Sequence, residues 1–242
     1  MVKVLLPGMQ KYTAIILASR KANEVNRLYI MYTLEQGLVK AVAKGVRKPN
    51  AKLAGHLEPV TLSEVYVARS KGMGQITSAI TLETLENIKK DFGKLSEALK
   101  IFRFFLKNFS EGEKDERIFK LLCGFLEFLA GKEAKVEILT EAFWWKLFDV
   151  LGNRPEVVKC AGCSGKLRAD SKKYFSISKG GAVCLDCRQN FEGLTAISDN
   201  QIKLLRVFLG NSLEKTAKVK ISEKEVEKLA KIRGNYIKYH FS

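Results

Sequence analysis

The stretch Asn26–Lys44, NRLYIMYTLEQGLVKAVAK, reads as two strands joined by a tight turn. Asn26–Leu34 and Leu38–Lys44 are rich in β-branched and aromatic residues, and Glu35-Gln36-Gly37 between them ends in a glycine available for positive φ. Tyr12–Ala18 (YTAIILA) precedes this hairpin, and Val60–Arg69 (VTLSEVYVAR) and Gln75–Leu82 (QITSAITL) follow it. Lys71-Gly72-Met73-Gly74 reads as the turn of a second hairpin, and a longer loop, Gly45–Pro59, with Pro49, Gly55 and Pro59, separates the two. Five short antiparallel strands predict a small, partly open barrel of the OB type, a scaffold that commonly holds single-stranded nucleic acid.

Beyond Leu82 the apolar period changes from strand-like to helical. Leu95, Leu99, Phe102, Leu106 and Phe109 predict one buried helix face. Ile118, Leu121, Leu122, Phe125 and Leu129 predict a second, with Gly131 placed to end it. Ile138, Ala142, Trp145 and Phe148–Leu151 form a third stripe, closed by Gly152; Phe143 and Trp144 fall off it, so burial on more than one side is expected. Ser198 with Gln201, and Ser222 with Glu225, match the capping box ahead of two further helices. The expected fold class is α+β and multidomain: a β-barrel domain over residues 1–80, then an α-helical domain over 81–242.

That helical part is interrupted by Cys160-Ala-Gly-Cys163 and Cys184-Leu-Asp-Cys187, two Cys-x2-Cys pairs twenty residues apart. This is the spacing of a four-thiolate zinc module, in which each pair sits on a tight turn. Four thiolates close the coordination sphere against substrate, so the expected zinc is structural and staples residues 156–192. Gly180 and Gly181 let the backbone bend ahead of Cys184. Redox-active or disulfide-forming pairs are the competing reading. His56 and His240 lie far from the pairs in sequence, and Cys123, in an apolar helical stretch, reads as a small core residue.

Lys plus Arg number 42 against 26 Asp plus Glu, a net charge of +16. Residues 1–80 carry twelve basic and four acidic side chains, residues 81–153 twelve and thirteen, and residues 154–242 eighteen and nine. Two basic ends around a neutral middle predict two surfaces facing a polyanion, whereas a solubility coat would spread its charge evenly. Lys40, Lys44, Arg47, Lys48 and Lys52 cluster on the third strand and the loop after it, and Arg20, Lys21 and Arg27 flank the first turn. These eight cations are the candidate DNA contacts, since neighbouring loops of such a barrel can converge on one face. Tyr29, Tyr32 and Tyr66 read either as stacking platforms for bases or as packing residues. The sequence has no glycine-rich phosphate loop and no nucleophile arrangement around a histidine, so no catalytic residue is assigned. The apolar run after Lys3 is broken at Pro7 and Gly8, and no run reaches the about 20 apolar residues of a membrane span. With zinc spacing and no export signal, a cytoplasmic protein without a membrane partner is expected.

Ala14–Leu17, Arg20, Glu24–Leu28, Tyr32–Leu38 and Ala43–Lys48 in the first part resemble the RecO family, recombination mediators of the bacterial RecF repair pathway. So do Ala142-Phe143, Leu147, Leu151–Pro155, both cysteine pairs and Gly180-Gly181 in the second, in the same order. The resemblance implies an N-terminal OB domain and a helical domain with an inserted zinc module. It implies binding of single- and double-stranded DNA, annealing of complementary strands, and a nucleoid-associated complex with RecR. That complex remodels single-strand-binding protein so that RecA can load, and the acidic, apolar C-terminal tail of single-strand-binding protein docks on the helical domain. The four cysteines and Ala43–Lys48 carry over residue by residue, whereas no local motif marks the tail pocket. Two departures stand out: Pro49-Asn50-Ala51 replaces the serine that closes the basic loop in many relatives, and the last forty residues match poorly. Two other classes compete. A zinc-ribbon RNA-binding or transcription factor shares the charge and the zinc but not the long aromatic helical middle. A metal-dependent nuclease or transferase needs clustered carboxylates, to which no pattern points.

Overall fold

Five strands, β1 (Met9–Lys21), β2 (Arg27–Thr33), β3 (Gly37–Ala43), β4 (Leu62–Ala68) and β5 (Gly74–Glu83), close into a barrel in the order β1-β2-β3-β5-β4. They coincide with the five expected runs, β1 reaching further at both ends. All neighbours pair antiparallel except β3 and β5, which run parallel over Ala41–Ala43 against Gly74–Ile76. The computed structural model describes residues 8–48, 51–69, 73–132, 135–169, 171–219 and 221–241. Lys3, Pro7, Pro49-Asn50 and the Lys71-Gly72 half of the second turn lie outside them.

Alternation along the strands sends Ala14, Ile16, Tyr29, Met31, Val39, Ala41, Val65 and Val67 into the barrel core. The opposite parity faces outward, yet Tyr32 is buried there too, its ring edge-on to Phe105 and Phe109 at 5.0 and 5.6 Å. Tyr66 is likewise buried and donates its hydroxyl to Glu64. With Tyr29 in the core as well, all three tyrosines are buried. Gly37 has φ +66°, as the turn requires, and a Cβ there would stand 2.0 Å from the Glu113 carbonyl oxygen, so two constraints select glycine.

Helices α1 (Glu86–Lys89), α2 (Phe92–Asn108) and α3 (Glu116–Ala130) follow. In α2 the expected stripe is misplaced. Ala98, Ile101, Phe102, Phe104 and Phe105 are buried, Leu99 is 39% exposed, and Leu95 and Leu106 are half-buried. The helix is apolar on two adjacent faces, and its partners select the one carrying Phe105. Gly131 does cap α3, but at φ −57°, without a left-handed turn.

The second part begins with α4 (Val136–Val150), buried on nearly every side as Phe143 and Trp144 predict. It ends in a Schellman motif: Gly152 at φ +81°, its N–H on the Asp149 carbonyl at 3.1 Å, and the Asn153 N–H on Phe148 at 2.7 Å. An unforeseen small sheet follows, β6 (Lys173–Ser176) between β7 (Gly181–Cys184) and β8 (Thr195–Ile197). Helices α5 (Asp199–Gly210), α6 (Leu213–Ala217) and α7 (Glu223–His240) complete the chain. The Ser198–Gln201 capping box forms as predicted. At Ser222 it does not, although Ser222 is the N-cap, because the Glu225 carboxylate accepts instead from the Ser198 hydroxyl at 3.0 Å.

β5 ends at Glu83 and α1 begins at Glu86. The compact units divide later, into Met1–Lys132 and Glu133–Ser242. The reason is chemical: Tyr32 on the barrel wall needs the Phe105 and Phe109 rings, so the first helices group with the barrel.

Candidate functional site

Cys160, Cys163, Cys184 and Cys187 come together, with all four sulfurs within 4.8 Å of one another and Cys163 to Cys184 at 4.0 Å. In a tetrahedral site with metal–sulfur bonds of about 2.3 Å, sulfurs stand about 3.8 Å apart, so this set fits one ion. It is the one such cluster among the described residues.

Backbone hydrogen bonds and close glycine contacts shape the site. The Cys160 N–H bonds the Gly165 carbonyl and the Ser164 N–H bonds the Cys160 carbonyl, each at 2.8 Å, closing the first turn. Gly162 has no room for a side chain, since a Cβ would lie 2.9 Å from the Phe191 ring and 3.3 Å from the Cys187 sulfur. Glu156 N–H reaches Gly180 and Glu156 carbonyl accepts from Ala182, with Gly181 so close that a Cβ would be 2.4 Å from the Glu156 oxygen. The Glu156 carboxylate accepts from Lys159 and Val158 N–H groups, which hold it below the usual carboxylate range.

Burial pushes the Cys160 thiol up, but N–H donors from Cys184, Cys163 and Gly162 outweigh it and bring the group down to about 6. The neighbouring sulfurs, Cys163 foremost and then Cys184, push Cys187 up to about 12. Four sulfurs this close cannot all ionise unless a cation shares their charge. The segment is also anchored without metal, because Phe175 of β6 packs 6.0 Å from both Trp145 of α4 and Tyr236 of α7.

Of the eight predicted cations, four line two clefts. Arg27 and Arg47 line a cleft of about 310 Å³ together with Ser19, Tyr29, Leu57 and Glu58. Arg20 and Lys40 line another of about 250 Å³ with Phe109 and Glu111, and there Lys40 is already 2.9 Å from the Glu111 carboxylate. Lys21, Lys44, Lys48 and Lys52 are exposed and make no ion pair among the described residues. Two asparagines outside the predicted contacts brace the loops beside the first cleft. Asn23 Oδ1 accepts from the N–H groups of Val25 and Asn26, and Asn26 Oδ1 accepts from Gly45, tying the β1–β2 loop to the basic loop. Arg47 then donates to the Asn23 carbonyl at 3.1 Å and Arg27 to the Ser19 hydroxyl at 3.0 Å. The asparagines carry a turn signal in sequence; Glu111 carries none, being seventy-one residues from Lys40.

Family models agree on what this chain is. Residues 9–85 match the one described as Recombination protein O N terminal, and residues 75–242 match Recombination protein O C terminal. The chain belongs to the RecO family. A DNA repair protein RecO of Dehalococcoides mccartyi is 34% identical over 93% of this chain and 88% of its own length. Those of Pelotomaculum thermopropionicum and Desulforamulus reducens are 28% and 27% identical, over 96% and 95% of this chain and 89% of each relative. The RecO match thus covers both the barrel and the cysteine cluster. Among the described residues no helix is long and apolar enough to cross a membrane.

Proposed function

We propose that the protein is a DNA repair and recombination mediator. On this reading it binds single- and double-stranded DNA, anneals complementary strands and, with RecR, helps load RecA onto DNA coated by single-strand-binding protein. The observation that carries the reading is membership of the RecO family combined with exposed cations beside a five-stranded barrel. The strand order β1-β2-β3-β5-β4 supports an OB fold for the barrel, and with it residues 1–80 as the nucleic-acid-binding domain. Residues 81–242 are the helical domain, with the zinc module at 156–192 and the docking place for the acidic, apolar tail of single-strand-binding protein. The protein acts in the cytoplasm, at the nucleoid.

In this reading the residues work by charge. Lys44, Arg47, Lys48 and Lys52, with Lys21 and Arg27 across the first loop, neutralise backbone phosphates and release counterions. Arg20 and Lys40 contribute less, Lys40 because Glu111 already holds it. Lower repulsion lets complementary strands approach, and base pairing supplies the driving force, so no bond-making step is required. Cys160, Cys163, Cys184 and Cys187 would hold zinc, which when bound fixes the two turns as a structural staple.

Annealing of complementary strands coated with single-strand-binding protein tests the reading, followed with and without ATP and magnesium. Faster pairing without nucleotide is expected. A strict need for ATP hydrolysis overturns the mediator mechanism.

A further inference from the structure

We infer that the cleft between the β1–β2 loop and the basic loop is a seat for one unpaired nucleotide, its base inserted and its phosphates held by Arg27 and Arg47. This rests on the DNA-binding reading above and deepens it. On the outward wall of β2 and β3, α2 covers Tyr32 with Phe105 and Phe109, and the cleft there pairs Lys40 with the Glu111 carboxylate. The cleft lined by Arg27 and Arg47 differs: Arg47 is exposed, as are Lys44 and Lys48 beside it in the chain.

Its shape and chemistry suit a nucleotide. A volume of about 310 Å³ lies at the small end of the about 300–1,000 Å³ of small-molecule sites. Half-buried Pro59 and the edge of Val46 give it apolar surface, with fully buried Leu57 behind them. Tyr29 also lines it, and the phenol makes no hydrogen bond among the described residues. The two guanidiniums are pre-positioned by Asn23 and Ser19, each retaining donors for a phosphate. Glu58 lines the cleft as well, 3.4 Å from Lys89, and its charge repels phosphate from its own side. A stacked, paired base cannot enter such a recess without leaving its helix, so the seat discriminates single strands from duplex.

The test fills the cleft without altering a charge. Ala54 lines it, is exposed, and has an ordinary right-handed backbone, so Ala54→Phe preserves the fold. Binding is measured for an oligothymidine, for the same strand with abasic positions, and for a blunt duplex. Ala54→Phe should weaken oligothymidine binding about 5- to 10-fold while duplex binding stays within about 2-fold, matching the worth of one lost base contact. The wild-type protein should bind the abasic strand as weakly as the variant binds oligothymidine. Equal affinity for abasic and intact strands, or unchanged oligothymidine binding by the variant, overturns the seat. Failure of the wild-type protein to bind either DNA at low salt overturns instead the DNA-binding reading beneath it.

Discussion

Arg233 Nε stands 2.7 Å from Glu141 Oε1, joining α7 to α4 through a carboxylate only 2% exposed. The other oxygen accepts from the Trp145 indole at 3.2 Å, and the guanidinium lies 5.6 Å from the Trp144 ring centre. Arg233→Ala removes the guanidinium charge from a buried carboxylate and should cost about 3 kcal/mol in denaturant unfolding. Adding Glu141→Gln should recover about half, because the neutral amide no longer requires a cation. A single-variant loss below about 1 kcal/mol would reduce the pair to a surface contact.

Cys163→Ser should release the bound metal, read with a colorimetric chelator, since three thiolates no longer close the sphere. The fall in melting temperature should stay near about 5 °C. Phe175 remains packed on Trp145 and Tyr236, so the segment keeps an apolar anchor when the metal leaves. Wild-type protein purified without chelator and free of metal would sink the proposed site.

Replacing Lys44, Arg47 and Lys48 together by alanine should flatten the slope of log affinity against log salt by about 2 to 3. Lys40→Ala should change it by less than about 0.5. Glu111 has already neutralised that lysine. Equal slopes for the triple variant and wild type would move the DNA contacts to the basic second unit.

Asp115 caps α3 by accepting from the Arg117 N–H at 2.8 Å while its other oxygen meets the Arg117 guanidinium at 2.7 Å. Arg117 side-chain bonding holds this carboxyl below its ordinary 3.8. A group lowered on folding stabilises above its unfolded value, and that stability is lost as pH falls through the folded value. Asp115→Asn keeps a cap but cannot ionise. The variant should therefore trail wild type by about 0.3–1 kcal/mol between pH 5 and 7, and the gap should close toward pH 2. A gap independent of pH contradicts the assignment.

The strands were legible because Tyr12–Ala18 and Asn26–Lys44 combine β-branched residues with one turn glycine, a local signal that burial then reinforces. The cysteine cluster was legible because ligand spacing is itself local. What depends on distant partners was not. Leu99 looked buried until Phe105 and the Tyr32 wall claimed the neighbouring face of α2. Tyr32 and Tyr66 carry the same side chain whether they meet bases or pack, Tyr32 edge-on to Phe105 and Tyr66 with its hydroxyl on Glu64, so only tertiary packing decides. Glu225 matched a capping box but found Ser198 first, and Lys40 looked available until Glu111 arrived from far along the chain.

The barrel is not equally strong around its circumference. Seven residue pairs join each of the other neighbouring strands, but among the described residues β3 and β5 share three, in the parallel arrangement that is slightly weaker per residue. Gly74, opposite Ala41 in that seam, omits a side chain whose Cβ would sit 2.6 Å from Val67 of β4 on its other side. Thermal opening of the ring should therefore begin at Ala41–Ala43, beside Lys44, with amide protons there exchanging ahead of those between β1 and β2. A strand lying across the basic loop would act as a clasp over this fault line, slowing exchange at residues that it never touches.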